Sequence, residues 1–265
     1  MTTIITIANQ KGGVGKTTTT ISVGHGLAQK GYRTLLIDLD PQANLASALS
    51  CKKDNGVYYL LTMGRKNKVE IDFIQSQVRP TGRDLLHYIP GNAETVRAQK
   101  DVTNRTPPAP ISHIRACLAL FSKGIDFIVV DTSPSIGGLQ ERAVWAADLV
   151  IIPTNMGYLS NEGVATLSND LHGLFRQKNW PGKLLGVLPT FYDGRTNADR
   201  TAMAQLQASF GDNVLPTIHR STVFEDASGI GKTIFEYALE KKSNQYAQRA
   251  ASEYQQLTNA VIAAR

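Results

Sequence analysis

The stretch Lys11-Gly12-Gly13-Val14-Gly15-Lys16-Thr17-Thr18 decides how the rest of the chain is read. Residues 4–8 before it form a short apolar run, as in a buried strand, and residues 19–30 after it have the composition of a helix ended by Gly31. Strand, glycine-rich turn, helix is the context that makes a phosphate-binding loop credible. Glycine lets the backbone come close to an anion and adopt positive φ without a Cβ clash. The N–H groups then point inward at a helix N-terminus, where the dipole also favours negative charge. Residues 11–18 are thus the candidate nucleotide contacts, with Lys16 placed to reach the β- and γ-phosphates and the Thr17 hydroxyl to ligate Mg²⁺.

The strict pattern G-x-x-x-x-G-K-[ST] would need glycine at position 10, where the chain has Gln10. The variant K-G-G-x-G-K-T fits instead and adds Lys11. A lysine five residues before Lys16 has trouble curling onto the same phosphates, so a nucleotide on a second subunit is its natural target.

With 265 residues the chain can bury a sizeable core, as one large α/β domain or two small ones. The hydrophobic fraction of 42% is ordinary for a globular protein, and a net charge of +6 permits, without demanding, an acidic partner such as nucleic acid or an anionic membrane. Cys51 and Cys117 are far apart and in no metal-like spacing, which suits two reduced structural thiols. No apolar run approaches the roughly 18–20 residues that span a bilayer. The N-terminus has no export-signal pattern. The expected location is the cytoplasm.

Residues 33–39 read as a second apolar strand ending at Asp38-Leu39-Asp40-Pro41-Gln42. Carboxylates at the carboxyl end of a parallel strand sit where ligands bind in open α/β sheets. Period two would put Asp38 and Asp40 on one side if the strand stays extended. The pair could equally cap a helix over 43–49. Residues 50–110 are the least legible. A short helix is expected over 57–63, a surface basic cluster at Arg65, Lys66 and Lys68, a strand over 84–89, and a proline-rich connector at 106–110 that is not a domain boundary. A helix over 111–122 leads to the apolar run 125–131 ending in Asp131, a strand-end carboxylate suited to Mg²⁺. Further strands are expected over 148–153, 184–188 and 214–217, and helices over 162–176 and 243–264. In the last, Tyr246, Ala250, Tyr254, Leu257 and Val261 form one apolar stripe. Its glutamine-rich polar face suits packing on a sheet better than lying on a membrane. Strands alternating with helices predict an α/β fold, a mainly parallel twisted sheet flanked by helices on both faces.

The loop resembles the deviant Walker A motif of the ParA/MinD family of P-loop ATPases, on its ParA side. The resemblance continues through Asp38-Leu39-Asp40-Pro41-Gln42, residues 86–92, Asp131-Thr132-Ser133-Pro134-Ser135, the segment with Tyr158, Glu162 and Gly163, and Ile218-His219-Arg220-Ser221. It covers nearly the whole chain and implies a single ATPase domain over 1–265. It implies ATP and Mg²⁺ as ligands, with Thr17, Asp40 and Asp131 at the metal. Asp40 would position the attacking water. Lys11 would cross to the nucleotide of the partner in an ATP-dependent homodimer, making Lys11, Lys16 and Asp40 the catalytic set. Thr190 and Phe191 would lie near the adenine. Arg195 would touch non-specific DNA of the nucleoid, supported by Arg220, Lys232, Lys241 and Lys242. A cargo-linked adaptor protein would stimulate hydrolysis. Two departures stand out: His219 replaces a family proline, and Val223 occupies a position where some relatives carry a second DNA-contacting arginine.

Three other classes of function fit the sequence less well. A MinD-like membrane-associated regulator would need an amphipathic tail that the terminal helix does not provide, and no membrane partner is expected. A metal-cluster carrier would need closely spaced cysteines. A DNA-coating protein that binds ATP without hydrolysing it is disfavoured by Lys16 and Asp40.

Overall fold

In a computed structural model that describes residues 1–64, 67–134, 138–158 and 180–265, seven strands form one sheet. They are β1 (Thr3–Ile7), β2 (Thr34–Asp38), β3 (Arg79–Arg83), β4 (Leu86–Ile89), β5 (Phe127–Asp131), β6 (Leu149–Asn155) and β7 (Lys183–Thr190). Their order is β3-β4-β2-β5-β1-β6-β7. Every pairing is parallel except β3 with β4.

The central strands are apolar on both sides, and alternation divides them between two cores. Ile5, Ile7, Leu36, Phe127 and Val129 face one, while Ile4, Leu35, Ile37, Ile128 and Val130 face the other. This is why such strands read as continuous apolar runs. The helices covering them are α1 (Lys16–Gln29), α2 (Asn44–Ala48), α3 (Gly56–Thr62), α4 (Lys68–Gln75), α5 (Glu94–Thr103), α6 (His113–Leu118), α7 (Leu139–Ala146), α8 (Asn197–Phe210), α9 (Val223–Gly229), α10 (Ile234–Glu240) and α11 (Gln245–Ala263). Helices α1, α9, α10 and α11 fill the first core. Helices α3, α5, α6 and α7 fill the second, and α8 closes a third cluster against β6 and β7. The α/β layering expected from the sequence is therefore the observed one.

Several details differ. Strand β3 escapes the sequence reading because its residues, Arg79-Pro80-Thr81-Gly82-Arg83, have no apolar alternation, and Asp84 belongs to the turn before β4. Proline is tolerated there because β3 is an edge strand. Residues 214–217 do not form a strand. Val214 makes one isolated bridge to Val187, and Pro216 has no N–H to extend the pairing. The helix expected over 111–122 begins at His113 and tightens into a 3₁₀ turn over Ala119–Phe121. In α11, Ala250, Tyr254, Leu257 and Val261 are buried as the stripe requires. Tyr246, in the first turn, is 63% exposed and carries Arg249 over its ring. Arg65, Lys66, Ser135, Glu162, Gly163 and the helix expected over 162–176 lie outside the described residues.

A polar network ties the edge strand to the helical layer. Arg83 donates from Nε and Nη2 to the Glu236 carboxylate at 2.8–3.0 Å, and Nη2 also donates to the Gly231 carbonyl at 2.7 Å. Glu236 accepts from the Thr233 backbone, closing a capping box at the start of α10, and the Thr233 hydroxyl pairs with His25 on α1 at 2.7 Å. The Arg83 side chain is only 10% exposed, so removing it leaves Glu236 and the Gly231 carbonyl short of partners. Arg83→Ala is expected to lower stability by about 3 kcal/mol in urea unfolding. A loss within experimental error would show that the network holds nothing together.

Candidate nucleotide site

The loop after β1 turns because Gly13 and Gly15 take positive φ, +68° and +87°. Gly15 is the N-cap of α1 in a left-handed conformation, which a side chain would strain. Lys16 opens the helix. It is buried, and its Nζ donates to the Lys11 carbonyl at 2.9 Å. Burial lowers the Lys16 pKa, against the attraction of Asp131 and Asp40. The Lys11 side chain is exposed at the loop's outer edge.

Three carboxylates gather at and just beyond the ends of β2 and β5, and two of them, Asp131 and Asp40, attract this lysine. Asp131 ends β5 and is fully buried, accepting hydrogen bonds from the hydroxyls of Thr17 (2.7 Å) and Thr20 (3.3 Å). Asp38 ends β2 directly across from it in register. Asp38 Oδ1 accepts from the Asp40 backbone, while Oδ2 has no hydrogen-bond partner among the described residues. Because β2 stops at Asp38, its alternation does not carry to Asp40. Asp38 stays sealed, and Asp40 lines the cavity with Pro41 and Gln42. Gly91 holds this corner closed, since a Cβ there would lie 2.3 Å from the Asp38 carbonyl.

A cavity of about 1190 Å³ opens over the loop. It brings Lys16, Thr17, Thr18 and Asp40 together with Thr190 and Phe191, and reaches Lys232. Thr190 donates to the Val14 carbonyl at 3.0 Å, and Phe191 sits at φ +54°, uncommon for a bulky residue. The sequence did not point to α5, and it marked Ile218-His219-Arg220-Ser221 only as a segment of the resemblance, with no place at the nucleotide. Yet Gln99 and Lys100 line one end of the cavity, and Ile218, His219, Phe224 and Tyr254 line another. No local motif marks Gln99, Lys100, Phe224 or Tyr254 as cavity residues, because only the packing of distant helices brings them in.

The proposed DNA residues sit mostly elsewhere. Arg195, Arg220, Lys241 and Lys242 are exposed and outside the cavity lining. Arg195 pairs with Asp193 at 2.7 Å, and Lys232 pairs with Glu240. Val223 is buried in the first core, so that position faces inward here.

The donor set suits Mg²⁺. A buried carboxylate bonded to the Thr17 hydroxyl, with Asp40 nearby, supplies hard oxygen ligands, and Mg²⁺ usually takes only one or two protein carboxylates and completes its shell with phosphate and water. Among the described residues no group of three His, Cys, Asp or Glu side chains could hold a metal by itself.

The fold and the loop define a P-loop nucleotide-binding protein of the α/β class. A family model described as an AAA domain matches residues 2–181. The chromosome-partitioning ATPase Soj of Thermus thermophilus is 38% identical over 88% of this chain and 88% of its own length. The chain belongs to the ParA/MinD superfamily of P-loop ATPases, on its ParA/Soj side. A structure of Cyanthece apo McdA shares the fold with a TM-score of 0.80 at 22% identity, covering 98% of this chain and all of that one. A Mycobacterium smegmatis cobyrinic acid a,c-diamide synthase structure aligns over 92% of this chain and 96% of its own, at 28% identity and a TM-score of 0.70. That structure holds ADP and magnesium.

Burial pushes the Asp131 carboxyl up to about 7, against the Thr17 hydrogen bond, and Asp40 adds to the rise. The folded chain thus holds this proton more tightly than the unfolded one. Asp131's contribution to stability is greatest below the ordinary aspartate range near 4 and is lost as pH rises through 7. Binding a cation at Asp131 requires the ionised form, so Mg²⁺-nucleotide affinity should fall as pH drops through 7, by about tenfold between pH 8 and pH 6. Calorimetric titration at the two pH values measures it. Asp131→Asn should flatten whatever part the nucleotide's own titration does not cause.

Proposed function

We propose that this chain is an ATP-driven positioning ATPase that binds DNA without reading sequence and is released by hydrolysis. The observation that carries this reading is the division of labour between two lysines in one loop. Lys16 is buried beneath the phosphate position, while Lys11 gives only its carbonyl to Lys16 and leaves its side chain at the exposed edge. A cation so placed suits a nucleotide held by a second copy of the chain. There it would stabilise transferring phosphate charge, as trans-acting arginines do by on the order of 10³–10⁵ in rate.

Within one subunit, the Gly12–Thr18 N–H groups and Lys16 would bind the β- and γ-phosphates. Thr17 and Asp131 would hold Mg²⁺, directly or through water, and Mg²⁺ when bound neutralises charge on the phosphate oxygens. Asp40, at the cavity wall, would orient the attacking water. The dimer would join the exposed cations Arg195, Arg220, Lys241 and Lys242 of two subunits into a surface for phosphate contacts. The ion pair to Asp193 would yield readily to DNA phosphate, since solvent-exposed pairs contribute little. An adaptor on the cargo would speed hydrolysis, part the dimer and return the chain to the cytoplasm from the nucleoid.

Among the described residues no helix is long and apolar enough to cross a membrane. The apolar stripe of α11 is already packed on α1 and the sheet, which favours DNA over a lipid surface. The name of the Thermus relative fits this reading.

Binding to random-sequence DNA at one fixed salt concentration tests it, with ATP, ADP and no nucleotide compared. Binding with ATP alone is expected. Asp40→Ala should keep ATP-dependent DNA binding while phosphate release stops, and Arg195→Glu with Arg220→Glu should reduce DNA affinity at least tenfold with ATP binding unchanged. DNA binding that ignores nucleotide, or wild-type turnover in Asp40→Ala, would overturn the assignment.

A further inference from the structure

His219 makes two hydrogen bonds that a proline in its place could not. Its backbone N–H donates to Glu253 Oε2 at 3.1 Å, and its ring Nδ1 lies 2.6 Å from Glu253 Oε1. Proline has neither donor. Glu253 projects from α11 and is itself buried, 8% exposed. Tyr192 meets the imidazole edge-on with ring centroids 5.3 Å apart. The ring is thus held by α11 on one side and, on the other, by Tyr192, whose backbone also bridges to this segment.

A carboxylate on Nδ1 fixes the tautomer. In the neutral ring the hydrogen sits on Nδ1 and the lone pair on Nε2. Among the described residues no hydrogen bond engages Nε2, and the side chain, 34% exposed, lines the cavity.

Sheet order says which end of a nucleotide comes here. The loop leaves β1. Asp40 follows β2, two places away on one side, and Thr190 ends β7, two places away on the other. With the γ-phosphate turned to Asp40, the nucleoside must leave along the opposite wall. That wall runs from Gly15 past Phe191 and Thr190, which stand 3.7–3.9 Å from a Cβ position on Gly15, to Ile218 and His219.

We propose that His219 selects the base: its Nε2 accepts a hydrogen bond from the exocyclic amino group of adenine, and Glu253 fixes the tautomer that makes this possible. Guanine presents a carbonyl oxygen at the matching position, so acceptor would face acceptor. The inference rests on the nucleotide reading above and adds the residue that distinguishes ATP from GTP.

Calorimetric titration of the full chain with Mg-ATP and with Mg-GTP at pH 8 tests it. The wild type should prefer ATP. His219→Phe keeps an aromatic ring and the backbone donor but has no acceptor, and its ATP-to-GTP affinity ratio should fall about tenfold, the worth of one hydrogen bond. Glu253→Gln can donate to Nδ1 and move the hydrogen to Nε2, so its ratio should shift further toward GTP, a change that loss of packing alone would not produce. A wild-type ratio in both variants, with both nucleotides bound, overturns the role of His219 and leaves the phosphate loop standing. Failure of the wild type to bind either nucleotide overturns both.

Discussion

The constraint that governs this molecule is the crowding of acidic groups at the carboxyl ends of β2 and β5. Asp38 and Asp131 lie opposite each other in register, both fully buried, with Asp40 close by and Lys16 acting on Asp131 and Asp40. Burial pushes both Asp38 and Asp131 upward, and each feels a neighbouring carboxylate as well. A low-dielectric pocket holding more carboxylates than cations is unfavourable unless protons or a metal balance it. The same arrangement makes it receptive to Mg²⁺ carried on phosphate. Affinity for the ligand and discomfort without it have one electrostatic origin.

The sheet supplies the rest by ordering the strand ends. Because β1 sits between β5 and β6, the loop lies midway between the carboxylates on one side and the wall of Thr190, Phe191 and His219 on the other. The cavity is therefore asymmetric, with carboxylates at the β2 side and the more apolar wall of Phe191, Ile218 and Phe224 at the β7 side, which suits the orientation proposed for the nucleotide. Helix α11 braces both α1, through Tyr254 to Thr19 at 3.1 Å, and the far wall, through Glu253 to His219. The terminal helix thus links α1, which the phosphate loop opens, to the segment that carries His219.

The division between what was readable and what was not follows the range of the interactions. The loop, the strands ending in Asp38 and Asp131, and the buried stripe of α11 were legible because each rests on contacts within one element or on a simple period. β3 was missed because an edge strand of Arg, Pro, Thr, Gly and Arg has no core face to announce it. The strand expected over 214–217 failed because its apolar character is spent on burial of Leu215 and Ile218 in the core, with Pro216 breaking the ladder between them. Tyr246 joined the stripe by spacing, but its neighbour Ala247 takes the core position in the first turn and Tyr246 is left facing solvent.

The amino-acid sequence by itself determined the family, the phosphate loop and the strand-end carboxylates, since glycine spacing, a lysine and a terminal aspartate are local facts. Only the tertiary structure decided that Asp38 is sealed while Asp40 meets the cavity, that Gln99 and Lys100 come to its rim, and that His219 is gripped by Glu253, 34 residues away. Burial and partnership depend on which strand ends and helices are neighbours in space. Strand order fixes that, and no spacing along the chain encodes it.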